Sequence, residues 1–246
     1  MHLVLTGATG AVGSAVLNHL LHHAGKTTKV TILSRNVTIP LLKEPHELNV
    51  EVIKHSDFRS YSSVMPSLHD ADALIWALGI SQSQVSAEDY VAITKDYPLA
   101  AAQAFGSNGR PFNFVYVSGE GATTTPGRFS PIFARVKGET EQALLNITAE
   151  LPDLRVYSAR PGGVDSAHDP EVHEVAKGKR VGTRRLEPVL MPLFRTFYAS
   201  MVSPTKELGK VLVQLAESDG KQLDGDGISG DGRTVSNVAL RRMAGL

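Results

Sequence analysis

The first strand-like run of the chain, His2-Leu3-Val4-Leu5, leads straight into Thr6-Gly7-Ala8-Thr9-Gly10-Ala11-Val12-Gly13, and an amphipathic helical pattern opens inside that turn. A strand handing over to a helix through three glycines at this spacing restricts the fold more than any other feature here. The first glycine permits the tight turn, the second lets backbone approach a pyrophosphate, and the third lets helix and strand pack closely. The helix N-terminus presents unpaired N–H groups and a partial positive charge to phosphates. Thr6, Gly7, Thr9, Gly10, Ala11, Val12 and Gly13 are therefore the expected dinucleotide cradle, the alternative being a glycine-rich turn that binds nothing.

The rest of the chain alternates in the same sense. Strands are predicted at 3–6, 30–33, 50–53, 73–77, 112–117 and 154–159, and helices at 11–23, 60–68, 88–105, 131–150, 188–202 and 205–217. Such alternation builds a parallel sheet covered by helices on both faces. The expected fold class is α/β, a doubly wound parallel sheet of Rossmann type. The 246 residues, 42% hydrophobic, suit a single domain with a small C-terminal substrate-binding portion at about 161–203. The long connection from 161 to about 187 reads as a functional lid or a mobile segment.

Lys plus Arg and Asp plus Glu both number 25, so no net field draws the chain to nucleic acid or an anionic membrane. A small-molecule ligand is the expected partner, and a homodimer is left open. The absence of cysteine excludes a disulfide framework, thiolate catalysis and Cys-ligated zinc. No secretion signal or spanning apolar run is read, so a cytoplasmic protein is expected. His168, Asp169, Glu171, His173 and Glu174 carry ligand atoms, but the histidines stand five apart in an expected loop, which suits a solvated acidic loop better than a metal site.

NAD-selective folds of this kind close the second strand with an acidic residue that binds the ribose hydroxyls. Here that stretch reads Ile32-Leu33-Ser34-Arg35-Asn36. With no carboxylate, Arg35 offers a planar, permanently charged donor set suited to a 2′-phosphate, and Ser34 adds a hydroxyl, so the expected cofactor is NADP(H). Alternatively Arg35 is a solvated surface arginine.

With the turn placed, residues 1 to about 165 resemble the short-chain dehydrogenase/reductase family, in its extended and atypical branches. Asp57-Phe58 resembles the adenine-binding position, Ala77-Leu78-Gly79 the segment lining the ribose, and Arg160-Pro161-Gly162-Gly163 the turn beside the nicotinamide, so that Pro161, Gly162 and Gly163 join the expected cofactor site. Asp57 reads equally as a helix N-cap. Val115-Tyr116-Val117-Ser118-Gly119 resembles the strand that ends in the catalytic serine, and Lys137 resembles the lysine of the YxxxK motif. In its tyrosine's place stands Phe133, fifteen residues after Ser118. The resemblance implies that Ser118 orients the substrate and Lys137 holds the ribose, yet Phe133 has no proton to give.

Phe133, Val136, Thr140, Leu144 and Ile147 share one helical face, and Lys137 falls inside that stripe. Its ammonium then needs polar partners, or it snorkels to water. Tyr116, on the same strand face as Ser118, is a candidate proton donor or a packed tyrosine. Arg180, Arg184, Arg185 and Arg195 surround the apolar 188–202 stretch as solvated residues or anion partners. The leading expectation is an NADP(H)-dependent oxidoreductase that moves a hydride to or from a carbonyl or imine. The others are a non-redox enzyme on the same scaffold and a cofactor-sensing regulator of the NmrA-like type.

Overall fold

The computed structural model describes residues 1–23, 25–43, 45–177 and 199–246. Its main sheet is formed by β1 (His2–Thr6), β2 (Lys29–Ser34), β3 (Asn49–Lys54), β4 (Ala73–Trp76), β5 (Phe112–Val117), β6 (Leu154–Ala159), β9 (Ile228–Ser229) and β10 (Thr234–Val235). The spatial order is β3-β2-β1-β4-β5-β6-β10-β9, parallel except where β9 runs antiparallel to β10. β1 pairs with both β2 and β4, so the strand order reverses there and a crevice opens at the strands' carboxyl ends.

Alternation along each strand divides the core. Leu3, Leu5, Ile32, Ile75 and Val115 pack on one face, beneath α1 (Ala11–His22) and α7 (Thr205–Ala216). Val4, Leu33, Leu74, Trp76, Phe114 and Tyr116 pack on the other, with Phe105 of α4 (Tyr97–Gly106) and Leu144 of α5 (Ile132–Glu150). Burial on both faces explains the near-continuous apolar runs of the central strands.

All six predicted strands form. The helix predicted at 60–68 shrinks to α2 (Met65–Leu68), because Pro66 lacks an N–H and fits only a first turn. The helix predicted at 88–105 is divided into α3 (Ala87–Val91), a π-turn (Ala92–Asp96) and α4, where Pro98 stands in the first turn. The expected lid or loop instead contains β7 (Gly163–Asp165) and α6 (Pro170–Lys177). β7 pairs in parallel with β8 (Val202–Pro204) as a separate small sheet.

Of the helix predicted at 188–202, residues 188–198 lie outside the described residues, as do Arg180, Arg184, Arg185 and Arg195. Residues Ala199–Met201 form a 3₁₀ turn. α8 (Asn237–Ala244), capped by the Ser236 hydroxyl, closes the chain. Among the described residues no helix is long and apolar enough to cross a membrane.

Candidate cofactor and active site

The three glycines of the β1–α1 turn meet different demands. Gly7 has φ +74, and a Cβ there would lie 2.3 Å from the Ala77 carbonyl oxygen; one at Gly13 would lie 2.1 Å from the Gly7 carbonyl oxygen. Both are therefore required by packing alone. Gly10 has ordinary extended backbone, and its Cβ would meet only the Gly7 carbonyl oxygen, at 3.4 Å. The space beside it is open among the described residues. α1 starts from Gly10 with no side-chain cap among the described residues and no acidic residue in its first turn, so its first turn supplies no anion to its positive end. An open cradle at an uncapped helix end fits a diphosphate.

Thr6 is fully buried, and its hydroxyl accepts the Leu78 N–H at 3.3 Å. Its side chain is thus a tether to the segment after β4, a correction to its expected place on the ligand. Ala77 and Leu78 form the half-buried wall against Gly7, while Gly79 is exposed.

At the end of β2, Ser34 is half-buried, with its oxygen accepting the Asn36 N–H at 3.3 Å. Arg35 is exposed and has no partner among the described residues. Asp57 is exposed; its Oδ1 accepts the Arg59 N–H at 3.0 Å and closes a local turn, while Oδ2 carries no such bond among the described residues. The Phe58 ring, only 2% exposed, lies edge-on to Trp76 at 5.9 Å and stacks on Tyr97 at 6.0 Å. That ring belongs to the core, which leaves only the backbone of Phe58 for a cofactor.

At the far end of the crevice, the carboxylate of Glu141 on α5 is buried. It accepts the Ser118 hydroxyl and is gripped by Arg160, whose Nε donates to Oε1 at 3.0 Å and Oε2 at 3.1 Å, with Nη2 also on Oε2. Lys137 donates to the Ser118 carbonyl oxygen at 2.5 Å. Burial pulls its pKa down to about 8, against the opposing pull of Glu141. Half-buried Phe133 precedes Lys137 by one helical turn, and its ring lies 3.8 Å from where a Gly121 Cβ would stand. Ser118 and Lys137 are thus brought together as expected, but the serine's single proton is already donated to Glu141.

Tyr116 is a correction. Its hydroxyl donates to the Thr94 carbonyl at 3.1 Å inside the aromatic core, and burial pushes its pKa up. Pro98 accounts for this acceptor: it has no N–H to give Thr94 four residues back, and the Tyr97 N–H bonds Ala92 in the π pattern instead. The freed Thr94 carbonyl takes the Tyr116 hydroxyl, while the Thr140 hydroxyl lies 3.3 Å from it and donates its proton to the Val136 carbonyl at 2.7 Å.

The turn after β6 is also largely committed. Pro161 accepts the Glu120 N–H at 2.8 Å; Gly162 donates to Ser203 Oγ at 2.9 Å and Asn237 Oδ1 at 3.2 Å. A Cβ on Gly162 would lie 2.2 Å from the Met201 carbonyl oxygen, so this glycine serves packing against the C-terminal segment. Of the three, exposed Gly163 keeps its open face.

The expected acidic loop is helical because buried Asp169 accepts from Val172 N–H at the start of α6, and also from Asn18 at 3.0 Å and Thr205 at 3.1 Å. No metal-holding group of His, Asp or Glu exists among the described residues. Glu141 escaped the sequence reading. Its signal was a carboxylate four residues after Lys137, beside Thr140 and Leu144 on the buried face, with Arg160 ending β6.

A doubly wound parallel sheet with an open glycine cradle at its switch point defines the Rossmann class of dinucleotide-binding fold. The NAD dependent epimerase/dehydratase family matches residues 3–177, and the chain belongs to that family. A Purpureocillium lilacinum protein, "Leucinostatins biosynthesis cluster protein T", is 30% identical across 98% of this chain and 94% of its own length. "Botcinic acid biosynthesis cluster B protein 16" of Botryotinia fuckeliana is 42% identical over 138 residues, covering 55% of this chain and 87% of that protein. A Burkholderia thailandensis oxidoreductase of the short-chain dehydrogenase/reductase family superposes with a TM-score of 0.68 at 14% identity, covering 97% and 91% of the two chains. MoeE5, solved with UDP-glucuronic acid and NAD, gives 0.63 at 14% identity over 89% and 73%.

Proposed function

We propose that this chain is an NADP(H)-dependent oxidoreductase acting on a carbonyl or imine carbon of a small organic substrate. The observation that carries the cofactor choice is Arg35 just after β2, exposed and without a partner among the described residues, where an NAD-selective site holds a carboxylate. Ala11 and Val12 hold the pyrophosphate on backbone N–H groups, with Thr9 and the bare Cα of Gly10 beside them, the Gly10 N–H being donated to the Gly7 carbonyl at 2.8 Å; Arg35 and Ser34 take the 2′-phosphate. Asp57 Oδ2 receives the adenine amino group, Ala77, Leu78 and Gly79 border the ribose, and Lys137 donates to the second ribose. When bound there, the nicotinamide supplies or accepts the hydride.

The protein's part is placement and proton handling. With Phe133 and Tyr116 unable to serve, Lys137 Nζ is the ionisable group of the site that can hold or release a proton near neutrality. The two fungal relatives are named for biosynthetic clusters, which supports a small biosynthetic intermediate as substrate. A non-redox step in the same pocket is the second reading, favoured by the missing phenol and by the commitment of the Ser118 proton to Glu141.

Cofactor titration followed by a carbonyl and imine panel tests the proposal. NADPH is expected to bind at least about tenfold more tightly than NADH, since a charge-assisted hydrogen bond contributes about 1.5–3 kcal/mol, and Arg35→Ala is expected to erase that preference. Equal titrations in the parent would remove the NADP(H) assignment. Product formed without a change in nicotinamide absorbance would establish the second reading instead.

A further inference from the structure

Three elements of the site meet at one carboxylate. Ser118 follows β5, Arg160 follows β6, and Glu141 rises from α5 one turn beyond Lys137. A glutamate four residues from a lysine ordinarily pairs with it along the helix surface. Here the carboxylate, 2% exposed, turns to Arg160 and the Ser118 hydroxyl, and Lys137 makes no ion pair of its own among the described residues. A buried carboxylate needs such partners.

Ser118 takes part twice, since its hydroxyl is held by Glu141 and its carbonyl receives Lys137 Nζ. Whatever fixes the serine therefore fixes the acceptor of the lysine. Charged groups reach this point from each side: Glu141 from α5, Arg160 from β6, and Glu120 from the loop after β5. Glu120 acts on Arg160 and accepts the Asn237 N–H at 3.0 Å. Phe133, one helical turn before Lys137, brings no polar side chain.

We infer that Glu141 is a positioning residue, clamped by Arg160 and Ser118, which keeps Lys137 in place and protonated for the cofactor. The inference rests on the NADP(H) reading for its use, but the link between Glu141 and Lys137 is a property of the protein alone. Without the Glu141 charge, desolvation acts unopposed and the amine loses its proton at lower pH.

The test is competitive acetylation of Lys137 against pH, read by mass spectrometry on the cofactor-free protein, beside NADPH titration at pH 7. In the parent, the reactive amine is expected to appear with a midpoint near pH 8. In Glu141→Gln the midpoint is expected to fall by about one unit, so that labelling at pH 7 rises up to about tenfold, and NADPH binding weakens severalfold. Glu141→Asp, which keeps the charge, is expected to return most of the shift. Ser118→Ala, which keeps the carbonyl and the Glu141 charge but frees the serine from the carboxylate, is expected to move the midpoint by well under half as much as Glu141→Gln.

An unmoved midpoint in folded Glu141→Gln, or an equal fall in Ser118→Ala, overturns the inference. Should Glu141→Gln fail to fold, Arg160→Gln tests it with the opposite sign, because a carboxylate relieved of its guanidinium raises the midpoint. A midpoint that stays or falls there overturns it too. The expected labelling in a protein that binds no NADPH would sink the cofactor reading and leave the electrostatic link intact.

Discussion

A methyl group added at Gly13 would lie 2.1 Å from the Gly7 carbonyl oxygen, while one added at Gly10 would lie 3.4 Å from the same atom. The first distance lies inside van der Waals contact with backbone that cannot move independently, and the second is ordinary contact. Gly13→Ala is accordingly expected to lose about 1–3 kcal/mol of stability through overpacking. Gly10→Ala should cost within about 1 kcal/mol at the N-cap yet lose NADPH binding, because its methyl enters the phosphate space. Urea unfolding beside cofactor titration separates the two, and a Gly10→Ala protein binding like the parent would move the phosphates elsewhere. Residue identity announced the glycines, Arg35 and Lys137, since each is tied to a motif at fixed spacing. Glu141 was hidden because its meaning depends on Arg160, which only the pairing of β5 with β6 brings to it. Phe58 misled for the converse reason: its neighbour Asp57 is at the surface while its own ring turns inward.

Between Ala87 and Gly106 the backbone changes from α to π and back, and side chains well separated in sequence depend on that change. Pro98 removes one intrahelical donor, the Thr94 carbonyl stands free, and the Tyr116 hydroxyl crosses from β5 to meet it. Tyr116→Phe is therefore expected to lower stability by about 0.5–1.5 kcal/mol, the net worth of one hydrogen bond. NADPH affinity should stay at the parent value. A loss of affinity without loss of stability would return Tyr116 to the site. Helices were legible where their stripes were long and unbroken, as in α1 and α5. They were overdrawn around Pro66 and Pro98, because apolar periodicity carries no information about a missing N–H.

That the strands pair in parallel was implicit in their alternation with helices, although right-handed crossovers leave more than one doubly wound order open besides the observed β3-β2-β1-β4. The C-terminal edge was not, since β9 and β10 are two residues each and acquire strand character only by pairing beside β6. A switch point built from segments so far apart in sequence implies that cofactor binding is felt by the whole fold. A ligand that binds only the native state stabilises it by about 2.7 kcal/mol at a concentration of about 100 times its Kd. For a chain of this size each kcal/mol moves Tm by about 2–4 °C, so saturating NADPH should raise Tm by about 5–11 °C. NADH at the same concentration, bound about tenfold more weakly, contributes about 1.4 kcal/mol and half that shift. Gly10→Ala should show neither, and Arg35→Ala should bring the NADPH response down to that of NADH. Thermal unfolding with each cofactor reads all of these outcomes in one experiment. Equal shifts from both cofactors in the parent would mean that Arg35 does not meet the 2′-phosphate, and no shift from either would mean that the open space beside Gly10 is not a dinucleotide site.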